Sequence, residues 1–246
     1  MKKLTVLFIV CALPGLLAVS GCSDSIPEKG LVAYYPFDGN AKNVIGEGSR
    51  SVSRNITFVD GVSGRAAKFG GYGNVGYIVV PHNPSLTFGG QRSISMWVRV
   101  DGSYGQTGAN CTGNRANHAT QVLLAKSGDR VGFRLAAGTN KNGRVSLRSN
   151  VSGPGMSNNA IAGASGGSEV NIGEWFHVVY TFDKSGSYIY VNGKLIAHDK
   201  RPANLTESNG EKMYFGIQSG KGSCLPFWFP FNGALDNLRI YNRSLN

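Results

Sequence analysis

The feature that most constrains the fold of this chain is a period of two. In "GEWFHVVYTFD", residues 173–183, extended backbone sets Phe176, Val178, Tyr180 and Phe182 on one face and Trp175, His177, Val179 and Thr181 on the other. Both faces are partly apolar, which predicts a strand covered on both sides. Runs of the same length recur from "GLVAYYPF" through "SISMWVRV", "QVLLAKS", "VGFRLAA", "RVSLRSNV", "SYIYV" and "KLIAHD" to "KMYFGIQ". Gly, Asn and Ser separate them, and no helical period competes. Asn192-Gly193 in "YVNGKL" predicts a two-residue hairpin turn, and Asn142-Gly143 a slightly longer one. Short strands with such turns mean an all-β sandwich or barrel, and one domain of this length has ample core.

The chain ends in "FNGALDNLRIYNRSLN", another strand pattern. Strict alternation puts Asp236 on the apolar face with Ala234, Leu238 and Ile240. A carboxylate directed at a core needs a cation, several hydrogen-bond donors or a way out.

The first residues concern the compartment. Lys2 and Lys3 precede the apolar stretch "LTVLFIVCALPGLLAV", which is short for a membrane span and ends in small residues. "LAVSGC" resembles the lipobox of bacterial lipoproteins. That resemblance implies a leader over residues 1–21, cleavage before Cys22 and lipid on Cys22, followed by a polar tether over 22–29. Ser23, rather than an acid, directly after the cysteine implies a lipid-anchored protein of the bacterial cell envelope, at the outer membrane. Export leaves Cys111 and Cys224 in an oxidising compartment, where a disulfide between them is the default. The formal net charge is +11, with 25 basic and 14 acidic residues spread along the chain. Such a surface suits acidic partners, polyanionic glycans or anionic membranes, and serves solubility equally well. Nucleic acid is not expected as a partner, since no nucleic-acid motif accompanies the charge and the leader implies export.

Residues 30–246 form one domain. "GLVAYYPFDGNAKN", "GEWFHVVYTFD", "YIYVNGKLIA" and "FNGALDNLRIYNRSL" together resemble the laminin-G-like, concanavalin A-like domains of bacterial surface proteins. The resemblance implies a two-sheet antiparallel jelly-roll sandwich whose first and last strands are neighbours. Members bind carbohydrate or mediate adhesion, and related jelly rolls are glycosidases or lyases, so fold does not settle function. Glycosidases of this fold carry Glu-x-Asp-x-x-Glu on one strand; here no Glu-x-Asp pair occurs. Lyase motifs are also not intact, so no catalytic residue is assigned. His177 is expected to be structural and His82 a turn residue, while His118 and His198 stand alone.

Two sites are expected. If the terminal strands pair, Asp38, Asn40 and Asn43 of "FDGNAKN" lie near Asp236, and two converging carboxylates repel. A structural Ca²⁺ held by Asp38, Asn40, Asn43 and Asp236 would relieve this, as related jelly rolls do; the alternative is backbone amides donating to Asp236. A Cys111–Cys224 bridge would pin the polar loop 101–120 against the aromatic "CLPFWFPF". Tyr104, Asn110, Arg115, Asn117 and Trp228 there offer the stacking and hydrogen-bonding types that bind an acidic or neutral glycan. Phe227 and Phe229 are expected to form a local apolar cluster instead. The expected function is non-catalytic binding of carbohydrate or a surface partner from a lipid-anchored module. The alternatives are a scaffolding envelope lipoprotein or a polysaccharide-degrading enzyme.

Overall fold

The computed structural model describes residues 29–45, 50–87, 90–102, 107–109, 115–117, 120–127, 132–140, 142–152, 165–201, 210–219 and 227–245. Its strands, in chain order, are β1 (Leu31–Tyr35), β2 (Val52–Arg54), β3 (Thr57–Asp60), β4 (Arg65–Gly70), β5 (Tyr77–Val80), β6 (Arg92–Val100), β7 (Thr107–Ala109), β8 (Arg115–Asn117), β9 (Gln121–Ser127), β10 (Gly132–Thr139), β11 (Arg144–Ser152), β12 (Ser165–Asn171), β13 (Trp175–Asp183), β14 (Gly186–Val191), β15 (Lys194–Asp199), β16 (Met213–Phe215), β17 (Gln218–Ser219), β18 (Phe227–Trp228) and β19 (Asn232–Tyr241). Among the described residues the only helical elements are two short 3-10 turns, at Gly71–Gly73 and Pro84–Leu86.

Two antiparallel sheets carry the fold. One has eight strands in the order β15-β14-β13-β6-β19-β4-β3, with β1 also paired to β19. The other has seven, in the order β12-β11-β10-β9-β16-β5-β2. Their facing side chains make one apolar core. Phe133 of β10 stacks on Tyr180 and Phe182 of β13, with ring centroids 5.1 and 6.2 Å away. Tyr35 of β1 meets Phe215 of β16 edge-on at 5.0 Å. These pairs cross between the sheets and fill the space with rings in favoured geometries.

Local chemistry explains the turns. Asn192 and Gly193 have φ of 48° and 77°, the left-handed pair that a tight hairpin between β14 and β15 requires. Between β10 and β11 the Asn140 side chain accepts hydrogen bonds from the Asn142 and Arg144 amides, and Gly143 turns at φ 72°.

Two expectations change. The inner face of β13 is fully buried, but Trp175, His177 and Val179 on the other face are only half-buried. Cover on both sides holds at Thr181 alone, where Ser93 and Ser244 hydrogen-bond its hydroxyl at 2.8 and 2.9 Å. The second change concerns β19. Its register against β6 shifts between Asp236 and Arg239, and Asn237 takes a left-handed φ of 52°. This bulge resets the alternation. Leu235 faces the core before it and Leu238 and Ile240 after it, so Asp236 does not share their face. It lies opposite Trp97, on the outer side of the eight-stranded sheet.

Phe133→Ala is expected to lower the unfolding free energy by about 3–5 kcal/mol, because it removes the ring that joins the two sheets. Urea denaturation measures this; an unchanged midpoint would contradict the assigned packing.

Candidate functional site

The bulge in β19 sits where its edge partner changes. β1 pairs with the later half, Tyr35 opposite Leu238, and β4 with the earlier half, Leu235 opposite Ala67. Asp236 stands at this junction, completely buried. Its Oδ2 accepts from the Val62 and Ser63 amides at 2.7 and 3.2 Å, and its Oδ1 from Asn237 Nδ2 at 2.9 Å. Donors therefore answer the charge. Asp38, exposed after β1, accepts from the Arg65 amide at 2.8 Å. Burial pushes the Asp236 carboxyl above the usual carboxylate range; the amide bonds oppose this, and repulsion from Asp38 adds to it. Among the described residues neither carboxylate has a cationic partner.

The other two oxygens expected at this end serve the backbone. Asn40 Oδ1 accepts from Lys42 at 2.9 Å, and Asn43 Oδ1 from both Tyr34 and Ile45, at 2.8 and 3.1 Å. No group of three or more His, Cys, Asp or Glu gathers among the described residues.

On the outer face of the eight-stranded sheet, His177 Nε2 lies 2.8 Å from Ser95 Oγ, and its ring packs 5.3 Å from that of Trp97. Burial, aided by the charge of Arg239, lowers its pKa to about 4. His82 is exposed in the turn before Pro84, and His198 is exposed on β15 beside Tyr188. His118 lies outside the described residues.

A different grouping occupies the outer face of the seven-stranded sheet. Phe133, Leu135 and Ala137 of β10 face the core, so Arg134 and Ala136 face away. Val122, Ala125 and Ala136 form a small apolar cluster covered by Phe229, the local packing expected for that residue. The Arg134 guanidinium lies over the Phe229 ring, 5.5 Å from its centroid. Its Nη1 donates to Gln218 Oε1 at 3.0 Å and its Nη2 to Asn150 Oδ1 at 2.9 Å. Its Nε is buried and has no acceptor among the described residues. Arg148 is a diagonal neighbour on β11, since Asn150 pairs with Arg134 and Arg148 with Ala136. Burial lowers the Arg134 pKa, and Arg148 lowers it further.

Of the expected ligand-binding residues, Arg115 and Asn117 lie on β8, in a two-stranded sheet with β7. Trp228 lies on β18, in a separate pair with β17, directly opposite Gln218. The register thus brings Trp228 beside a residue that holds Arg134. Cys22, Tyr104, Asn110, Cys111 and Cys224 lie outside the described residues. Arg134, Arg148, Asn150 and Gln218 were not among the expected residues. The available signal was parity: in "GFRLAA" and "SLRSN" the polar residues fall between core positions of adjacent strands.

Two outcomes are expected. Asp236→Ala should cost about 1–3 kcal/mol in chemical denaturation, because it removes the acceptor that the Val62 and Ser63 amides share; a loss near zero would mean that water satisfies them. The His177 imidazole should titrate near 4 by NMR. Because its folded pKa is depressed, its contribution to stability is complete above the unfolded value and lost as pH falls from about 6.5 toward 4. His177→Gln should therefore lose less stability than wild type across that window.

Comparison with known proteins agrees with this architecture. Among curated proteins none matches the sequence. Domain 4 of AbnA, a GH43 extracellular arabinanase from Geobacillus stearothermophilus, solved with arabinotriose, superposes with a TM-score of 0.61 at 20% identity, covering 88% of this chain and 94% of that one. The binding domain of Paraclostridial Mosquitocidal Protein 1 gives 0.60 at 18% identity, with 88% and 50% covered. The binding domain of Botulinum Neurotoxin DC, in complex with SialylT, gives 0.59 at 15%, with 88% and 49% covered. At these identities the likeness is one of fold. The Laminin_G_3 profile matches residues 72–246, most of the chain, and the protein belongs to that family of the concanavalin A-like lectin/glucanases superfamily.

Proposed function

We propose that this protein is a non-catalytic carbohydrate-binding module, held at the outer membrane of a bacterium by lipid on Cys22. The observation that carries the reading is the outer face of the seven-stranded sheet. Arg134, Asn150 and Gln218 fix one another there over the ring of Phe229. Convergent polar groups beside apolar ring surface are what a sugar site uses. The arabinanase domain solved with arabinotriose and the toxin domain solved with SialylT have the same fold, and their ligands are saccharides by name. Three of the carboxylates are committed within the fold rather than free for hydrolysis. Asp101 is paired with Lys68 and Arg99, Asp199 with Arg201, and Asp236 is enclosed by amides.

A structural Ca²⁺ at the chain closure belongs to the same proposal. Asp38 and Asp236 repel each other, and among the described residues Asp38 Oδ2 accepts no hydrogen bond. Both suit a hard cation with oxygen ligands. Asn40 Oδ1 accepts one amide and keeps a second lone pair for such an ion, whereas Asn43 Oδ1 already accepts two amides and would join only by giving one up.

A glycan array probed with the purified chain, with Ca²⁺ and with EDTA, tests both parts. Saturable binding without release of reducing ends or unsaturated sugars is expected, with a melting temperature raised by Ca²⁺ and lowered by EDTA. Turnover would make the protein an enzyme. Retention of a protein partner without any glycan would make it a scaffold. A melting temperature indifferent to both additions would remove the ion.

A further inference from the structure

Arg134 presents an unresolved charge. A guanidinium stays protonated at every physiological pH and has five N–H donors. Here two of the five meet amide carbonyls, from Gln218 and Asn150. The Nε–H is covered and among the described residues meets no acceptor. One N–H remains on each terminal nitrogen, and the residue is partly exposed. Neither Gln218 nor Asn150 carries charge, so they orient the cation without neutralising it.

The surroundings add positive charge. Arg148 is exposed, shares the face and repels Arg134. Among the described residues no carboxylate pairs with either arginine. Glu169 on β12, exposed on the neighbouring strand, forms no ion pair with them. The Phe229 ring removes water from one side of Arg134, which strengthens any charge interaction on the other. Arg pairs a planar oxyanion through two parallel N–H bonds, and a neighbouring cation raises that preference. The fixed orientation also lowers the entropy that such pairing costs.

We propose that Arg134 and Arg148 form an oxyanion subsite, which takes the carboxylate or sulfate group of an acidic polysaccharide laid across β10 and β11. This rests on the carbohydrate-binding reading above and narrows it to an anionic glycan. Gln218 and Asn150 are positioning residues: they aim the Arg134 fork at the ligand and need not touch it.

The test is calorimetric titration of the purified full chain with polygalacturonate, heparin and neutral arabinan at 150 mM NaCl. At least one anionic polymer should bind about tenfold or more tightly than arabinan, the scale of one charge-assisted contact. Arg148→Gln and Arg134→Gln should each erase most of that margin. Lys194→Gln, which removes an exposed charge from β15 of the other sheet, should leave it intact. Because Arg148 is exposed, its variant keeps the test decisive if Arg134→Gln folds poorly. Which of the two polymers binds separates carboxylate from sulfate as the recognised group.

Equal loss on Lys194→Gln would replace the subsite with diffuse attraction and overturn it. Tight binding of arabinan, unmoved by either arginine variant, would leave the carbohydrate-binding reading standing and overturn the subsite. Binding of none of the three polymers, together with an empty glycan array, would overturn both.

Discussion

Two backbone amides donating into one buried carboxylate tie the last strand of this domain to the loop between β3 and β4. β19 is the last strand and sits between β6 on one side and, on the other, β1 and β4 in succession. Neither β1 nor β4 covers the change-over, where the strand carries its bulge. Asp236 fills the gap by binding the loop that precedes β4, through Val62 and Ser63. The loop must come very close to do so. A Cβ on Gly61 would stand 2.6 Å from Asp236 Oδ2, and one on Gly64, at φ 65°, would stand 2.2 Å from Asp38 Oδ1. Glycine at both positions lets the first strand, the loop and the last strand meet around two acids.

The sandwich itself was legible. Period-two runs separated by Gly and Asn turns name the main strands of both sheets, because each has an inner face of large apolar residues that must alternate. The pairing of β1 with β19 follows the implied closure. The failures have specific causes. β12, "SGGSEVN", shows no alternating apolar face because Val170 is its only buried side chain; as an edge strand it is held by backbone bonds to β11. Asp236 was misplaced by one residue of parity. Asn237 supplies the left-handed backbone of the bulge, and an Asn within an otherwise regular strand was its sole mark.

The candidate site was less legible because its residues are not neighbours in sequence. Arg134 and Asn150 belong to adjacent strands, Gln218 and Phe229 to an excursion far downstream. Only the register of β10 against β11 places Arg148 beside them. The aromatic segment did draw notice, and Phe229 packs as its composition implied, against Val122, Ala125 and Ala136. What composition does not convey is that this small cluster dries one side of an arginine.

Asp236 and Arg134 pose the same physical problem with opposite sign, and the fold treats them differently. The buried anion receives three N–H donors, so its desolvation is offset within the chain. The cation receives two neutral acceptors, a ring face and a like charge nearby, and among the described residues one of its donors stays unmet. Partial desolvation against the Phe229 ring costs the guanidinium free energy, and among the described residues no counter-ion offsets it. The core does not require Arg134, because it faces the other way from Phe133 and Leu135. A site whose charge is oriented but not neutralised is incomplete as structure, and an oxyanion supplies what it lacks.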